Sequence, residues 1–153
     1  MKKKKNNFTE RKEAREAAMK LLYSIEYNNE DSQYQIENFI ENDVVENFSE
    51  KNKKYISDVV EGTLSKLREI DPYIEKYSKG WAFSRIPVID KSILRLCIYE
   101  MFYRDDIPAS VSINEAVNMA KKYGHEDSGA FTNGVMGSIY KQLAEEGRIK
   151  GNK

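Results

Sequence analysis

The chain has little of the chemistry that catalysis or metal binding requires. His125 is its single histidine and Cys97 its single cysteine, so no His/Cys set at metal-ligand spacing is possible. His125 follows Gly124 in a turn-like stretch, which favours a surface loop, whereas Cys97 lies among apolar residues and is expected in the core. No phosphate-binding glycine loop and no nucleophile-elbow motif occurs. The sequence therefore predicts a protein with no enzymatic activity, no metal and no cofactor.

Binding chemistry is better represented, beginning with basic residues near the N-terminus. Residues 1–20 carry eight lysines and arginines against three glutamates, whereas residues 26–50 carry eight acidic residues and no basic one. Arg11 and Arg15 are one helical turn apart, so they share a face of a predicted helix. This pattern is typical of a basic arm that meets a polyanion. The alternative is that Lys2–Lys5 form only a solubilising tail.

Aromatic residues add a second kind of binding chemistry. Tyr77 and Phe131 are of the type on which the bases of single-stranded nucleic acids stack. Each of them alone is explained more simply as part of the core. If several phosphates are bound, affinity should fall steeply with salt, by roughly 0.7 log unit per log unit of salt for each phosphate contacted.

Helices must position these residues, because apolar residues recur at helical spacing and no alternating strand pattern appears. Thr9 is predicted to cap the first helix, and Ser112, with Glu115 completing a capping box, the sixth. Gly124 is predicted to end the sixth helix, and Gly134 to mark close packing or a contact surface in the seventh. The predicted fold is all-α with about seven helices. Apolar patterns predict the first three helices over 14–25, 36–48 (including Val44 and Val45) and 55–67, and Asp71-Pro72 is expected to begin a short fourth helix. The fifth helix is predicted over 88–102 and largely buried, and the sixth and seventh are predicted to begin at Ser112 and Phe131.

Length and composition indicate one domain. Of 153 residues, 40% are apolar and 33% charged, a balance expected of amphipathic helices with solvated outer faces. We expect a basic flexible tail over 1–8, a helical domain over 9–147 and a frayed tail over 148–153. The sequence contains no run of eighteen apolar residues and no secretory signal, which predicts a cytoplasmic protein without membrane association.

Short motifs spread over nearly the whole chain resemble the NusB family in their order and spacing. They are Arg11 to Ala18 with Leu22-Tyr23, Trp81 to Arg85, Asp90 to Leu96 with Tyr99-Glu100, Ile107-Pro108, Ile113 to Ala116, Ala120-Lys121, Gly124, Ser128, Phe131 and Asn133-Gly134-Val135. The resemblance implies an all-α domain of two packed helical bundles. It further implies transcription antitermination, in which the boxA element of nascent RNA is bound together with the small-subunit ribosomal protein that serves as NusE. The pair then joins the RNA polymerase antitermination complex, notably in ribosomal RNA transcription.

The resemblance also assigns site residues. Matched positions near RNA are Arg11, Lys12, Arg15, Tyr77, Phe131 and Asn133, and matched positions near the partner protein are Tyr23, Asp90 and Asp127. Aspartates suit a partner that is basic, as ribosomal proteins are. The stretch from Asp127 to Asn133 is where the RNA face and the partner face are expected to meet.

Four residues depart from the family pattern. Glu13 stands where a basic residue is common, Ala130 and Thr132 replace a frequent lysine and valine, and Gly137 replaces an aspartate. We therefore expect this protein to bind RNA more weakly than other family members do, or to gain part of its RNA affinity from Lys2–Lys5.

Two alternative functions are compatible with the helical pattern. One is a self-associating interaction protein, in which a homodimer buries the RNA-facing helix. The other is a remnant domain of an RNA cytosine methyltransferase, which is disfavoured because the chain to Lys153 contains no glycine-rich cofactor segment.

Overall fold

The structure, a computed structural model, describes residues 6–28, 31–43 and 48–148. Lys2–Lys5, the predicted apolar positions Val44 and Val45, and residues 149–153 lie outside this description. Over the described ranges the protein is helical with no strand, which confirms the all-α prediction. The helices are α1 (Asn7–Tyr27), α2 (Ser32–Asn38) with a π-helical turn (Phe39–Asp43), α3 (Glu50–Ser65), α4 (Leu67–Tyr77), a 3-10 turn (Phe83–Arg85), α5 (Val88–Tyr103), α6 (Ala109–Tyr123) and α7 (Ser128–Glu145).

The chain divides into two compact units between Gly62 and Thr63. In the first unit, the apolar stripe of α1 is buried, as the spacing predicts, at Ala14, Ala18, Leu21 and Leu22. The start of α1 differs from the prediction.

The cap of α1 is Asn6 and not Thr9. Thr9 lies inside the first turn, where its N–H donates to the Asn6 side-chain oxygen at 2.7 Å. Asparagine is a stronger N-cap than threonine, so the helix starts earlier than predicted, at Asn7.

The second unit is built around α5, which contacts α4, α6 and α7. Five successive or near-successive α5 residues are fully buried, namely Ile93, Leu94, Leu96, Cys97 and Ile98. This confirms the prediction that the fifth helix is the buried one and that Cys97 is a core residue. None of the described helices is both long enough and apolar enough to cross a lipid bilayer.

Helix α4 begins before the predicted restart at Asp71-Pro72. It starts at Leu67, and both residues lie inside it. Asp71 does not cap the helix but accepts two hydrogen bonds from Arg95 of α5, each 2.9 Å long. This ion pair and the fully buried Ile70 hold the preceding turn against α5, so the helix extends back past the proline.

Helices α6 and α7 also begin earlier than predicted. Pro108 precedes the first turn of α6, and Ser112 lies inside the helix, fully buried, with its hydroxyl donating to Glu100 Oε1 at 3.0 Å. Ser112 is therefore a packing contact with α5 and not a cap, and Glu115 is buried as well. Helix α7 starts at Ser128 and not at Phe131.

The glycines of this region have unequal roles. Gly124 ends α6 as predicted, and a Cβ added there would lie 2.5 Å from the Ser128 side chain. A Cβ on Gly129 would lie 2.9 Å from Lys121 Cγ, whereas one on Gly134 would meet nothing within 4 Å. Close packing therefore occurs at Gly124 and Gly129 but not at Gly134, whose predicted role in close packing is wrong and whose predicted role in a contact surface stays a prediction.

Candidate functional site

The predicted RNA-binding cations Arg11, Lys12 and Arg15 lie in the first half of α1. Arg11 Nε donates to Asn52 Oδ1 of α3 at 2.7 Å, and the guanidinium carbon lies 4.1 Å from the ring centroid of Tyr55. The Arg15 guanidinium carbon lies 5.8 Å from the same centroid. The two arginines share one helix face, as predicted, and that face lies against Tyr55.

Burial distinguishes these cations. Arg15 is only 3% exposed, and the contacting residues Asn52 and Tyr55 are 5% and 2% exposed. Arg11 and Lys12 are half-buried. Helical spacing alone could not identify Asn52 and Tyr55, because it shows which residues share a face but not what covers that face.

Tyr23, a predicted partner contact, lies near the end of α1 and is partly exposed. Its ring packs edge-on against Tyr27 at 5.0 Å between centroids, and Tyr27 is 66% exposed. A side-chain hydrogen bond with Tyr23 is the main cause that raises the pKa of Tyr27. The first unit therefore presents an aromatic pair of which the sequence predicted one member.

In the second unit, Asp90, Asp127 and Phe131 meet at one cavity of about 170 Å³. The cavity lies where the loop before α5 meets the turn between α6 and α7. Its lining is largely apolar, comprising Trp81, Ile86, Pro87, Asp90, His125, Asp127, Ser128 and Phe131. The structure therefore brings two predicted partner residues together with one predicted RNA residue.

Asp90 is the electrostatically unusual residue of this cavity. It is 4% exposed, and its Oδ1 has no hydrogen-bond partner among the described residues. Burial raises the pKa of Asp90, while a hydrogen bond with the Ser128 hydroxyl and the charge of His125 act in the opposite direction. A buried acceptor without a partner is costly, so a donor brought by a ligand would be favourable at this position.

Trp81 and His125 also line the cavity, although neither was predicted as a site residue. The Trp81 ring is 52% exposed and meets Phe131 edge-on, with 6.2 Å between centroids. His125 lies in the turn before α7, where its backbone N–H donates to Ser128 Oγ at 2.8 Å. Trp81 could have been predicted as a site residue, because it begins the motif Trp81 to Arg85 that carries part of the family resemblance.

The loop that carries Trp81 is anchored on both sides. The buried Ser78 hydroxyl donates to the Trp81 carbonyl at 3.3 Å. Further along, Lys91 Nζ and the Arg95 guanidinium carbon of α5 lie 4.9 Å and 5.6 Å from the centroid of the Phe83 ring. These contacts fix the position of the tryptophan relative to α5.

Tyr77 and Asn133 are not among the residues that line the cavity. The Tyr77 hydroxyl donates to Gln142 Oε1, an oxygen that also accepts from Lys76 Nζ at 3.0 Å. Asn133 is exposed on α7, and two helical steps of about 100° place it on a different side of that helix from Phe131. Of the predicted RNA residues of the second unit, Phe131 therefore lines the cavity, and Tyr77 and Asn133 do not.

Comparison with known proteins identifies the chain's relatives. The sequence profile of the NusB family matches residues 12–141. The "Transcription antitermination protein NusB" of Acetivibrio thermocellus is 49% identical over 131 residues, which is 86% of this chain and 88% of that protein. The protein of the same name from Thermoanaerobacter sp. strain X514 is 45% identical over 143 residues, covering 93% and 99% of the two chains.

Solved structures agree with the sequence comparison. T. maritima NusB has a TM-score of 0.80 and 33% identity, covering 97% of this chain and 98% of its own. A crystal structure of the antitermination factors NusB and NusE in complex with double-stranded RNA gives a TM-score of 0.76 and 26% identity, covering 88% of this chain and 98% of its counterpart. The profile match and these relatives together show that the chain belongs to the NusB family.

Proposed function

We propose that this protein is a transcription antitermination factor that binds boxA-type RNA together with a small-subunit ribosomal protein acting as NusE. The pair joins the RNA polymerase antitermination complex, notably during ribosomal RNA transcription. The observation that carries this proposal is the match over most of the chain to proteins named for antitermination and to a structure that holds NusB, NusE and RNA. The protein acts by binding and without catalysis, in the cytoplasm, where bacterial transcripts are made.

For RNA binding, Arg11 and Lys12 contact backbone phosphates. Both are half-buried on α1, so part of each side chain reaches the surface. Arg15, one helical turn after Arg11 and 3% exposed, contributes its positive charge without an exposed side chain. In the second unit, Phe131 supplies an aromatic face, and Tyr77 and Asn133 supply further RNA contacts.

For partner binding, Tyr23 supplies exposed aromatic surface, and Asp90 and Asp127 supply negative charge. A ribosomal protein is basic, so carboxylates give it electrostatic complementarity. The unpartnered Oδ1 of Asp90 favours a donor from the partner, such as a lysine or arginine side chain.

The test is a gel-shift assay with boxA RNA, performed with this protein alone, with the ribosomal protein alone and with both. We expect the two proteins together to bind boxA RNA more tightly than either alone, and binding to weaken between low and high salt. A scrambled RNA of equal length is the control. Equal affinity with and without the partner would contradict the proposed function.

A further inference from the structure

We propose that Asn52 and Tyr55 of α3 are positioning residues for RNA binding, because they hold the Arg11 guanidinium in the orientation in which it meets a phosphate. The inference rests on the proposed function and gives α3, to which no RNA role was assigned, an indirect part in RNA binding. Neither residue touches RNA in this proposal; both act through Arg11.

The geometry around Arg11 is fixed from two directions. Asn52 Oδ1 accepts from Arg11 Nε at 2.7 Å, which sets the rotation of the guanidinium plane. The Tyr55 ring lies 4.1 Å below the guanidinium carbon, which sets its height. Because all N–H donors of an arginine lie in one plane, these two contacts together fix the direction of its terminal nitrogens.

The two contacting residues are themselves rigid. Asn52 and Tyr55 are 5% and 2% exposed, so packing restricts their side chains. The Asn52 backbone N–H is bonded to the Ser49 carbonyl at 3.1 Å at the start of α3. A fixed support of this kind is what a positioned binding group requires.

The physical gain is preorganisation. An arginine side chain loses considerable rotamer freedom when it binds a phosphate, and a guanidinium that is already held in place loses less. Arg15, 5.8 Å from the same ring centroid, adds a second positive charge beside the first. Phosphate oxygens are the ligand, so the contribution is independent of base sequence.

A double-mutant cycle tests this inference on the full chain in the presence of the ribosomal partner. Asn52→Ala removes the acceptor while leaving a residue that helices tolerate well. In the otherwise unaltered protein, we expect the dissociation constant for boxA RNA to rise about 3- to 10-fold. In an Arg11→Ala background, we expect less than about a 2-fold change, because the group that Asn52 positions is absent. Equal losses in both backgrounds, or no loss in either, would overturn the inference.

Variants at Tyr55 provide a second comparison. Tyr55→Phe keeps the aromatic face under Arg11, and we expect RNA affinity within about 2-fold of the unaltered protein. Tyr55→Leu removes that face, and we expect a loss of about 3-fold or more. If both variants bind equally, the ring face has no positioning role.

A measurement without RNA separates this inference from the proposed function. In NMR spectra of the free protein, the Arg11 Nε–H should exchange slowly with water, and Asn52→Ala should abolish that protection. Failure of the unaltered protein and its partner to bind boxA RNA would refute the proposed function, whatever the NMR result. An unprotected Nε–H in the unaltered protein would refute the positioning, whatever the RNA result.

Discussion

Burial decides what an individual charged side chain can do in this protein. Arg15 and Asp90 are almost equally covered, at 3% and 4% exposure. Arg15 lies over an aromatic ring, which stabilises its charge, whereas Asp90 has a carboxylate oxygen without a partner among the described residues. Lys12 keeps part of its side chain at the surface. Lys12 and Arg15 are both assigned to RNA binding by the resemblance, yet replacing them should have different effects on stability, because only Arg15 is buried.

Lys12→Ala should weaken RNA binding without destabilising the fold. Lys12 is half-buried on α1, and alanine is a good helix former. We expect weaker binding to boxA and scrambled RNA alike, with the salt slope reduced by about 0.7. Lys20→Ala, at an exposed position further along the same helix, is the control. A salt slope unchanged in Lys12→Ala would contradict a phosphate contact at this residue.

Asp90→Asn should stabilise the free protein near neutral pH. Burial raises the pKa of Asp90 in the folded state above its usual 3.8. Between the pKa of the unfolded state and the higher pKa of the folded state, the folded state therefore binds more protons than the unfolded state. Stability contributed by this group is thus lost as pH rises through that window, and the cost persists above it. We expect the Asp90→Asn substitution to increase the unfolding free energy at pH 7 and to flatten its pH dependence, measured by urea denaturation.

Asp127→Asn is the matched control for this pH experiment. Asp127 lines the same cavity but is exposed, so its carboxylate keeps its water. We expect Asp127→Asn to change the unfolding free energy at pH 7 by less than about 0.5 kcal/mol, as is usual for exposed positions. Equal pH dependence in the Asp90 variant and the unaltered protein would contradict the desolvation of Asp90.

At the level of elements, the close contact between α6 and α7 depends on small residues at their junction. Gly124 ends α6 and Gly129 lies in the first turn of α7, and an added Cβ at either would approach a neighbouring side chain. Further along α7, Gly134 faces open space. The same residue type is therefore required for packing at one end of α7 and dispensable in its middle.

Gly134→Ala and Gly124→Ala should have opposite effects on stability. Alanine at Gly134 restricts the unfolded chain and meets nothing within 4 Å, so we expect a gain of about 0.5–1 kcal/mol in unfolding free energy. At Gly124 the Cβ would lie 2.7 Å from the Ala120 carbonyl oxygen, and we expect a loss of about 1–3 kcal/mol. Thermal or urea unfolding measures both. A loss at Gly134 would contradict the open space around it.

Thr132 gives a further prediction for α7. Its side chain is fully buried, and its hydroxyl has no partner among the described residues. Thr132→Val removes the hydroxyl at nearly constant shape, so we expect a gain of about 1 kcal/mol in unfolding free energy. Thr132→Ser keeps the hydroxyl and removes the methyl group, which should cost about 1 kcal/mol. Destabilisation by valine would show that the hydroxyl is bonded.

At the level of the whole molecule, charge is balanced in sum and uneven in distribution. The chain has 25 basic and 25 acidic residues, yet its first twenty residues carry an excess of five positive charges. A protein with zero net charge gains little general attraction to a polyanion. Binding to RNA should therefore depend on this local excess and fall with ionic strength.

Deleting residues 2–5 should weaken RNA binding most at low salt. The deletion removes four of the eight basic residues in the first twenty. We expect the salt slope to fall by up to about 0.7 for each lysine that contacts a phosphate, so the affinities of the full and shortened chains should converge at high salt. Fluorescence anisotropy over a salt series measures this. A constant affinity ratio at all salt concentrations would show that the lysines do not act through charge.

Helical periodicity was sufficient to predict the main elements. The all-α class, the buried α5, core Cys97 and the end of α6 at Gly124 follow from local apolar spacing and cap chemistry, and the structure confirms them. The starts of α4, α6 and α7 were predicted too late. Asp71 and Ser112 resemble caps in sequence but bond to Arg95 and Glu100 of α5.

The sequence by itself determined the helices, the family resemblance and the identity of candidate residues, because these depend on residue type and spacing along the chain. Only the tertiary structure decided which candidates are covered and what covers them. It placed Arg15 over Tyr55, bonded Arg11 to Asn52, and brought Asp90 to a cavity beside Trp81. Such contacts join residues distant in sequence, and desolvation and hydrogen bonding depend on that packing and not on local periodicity.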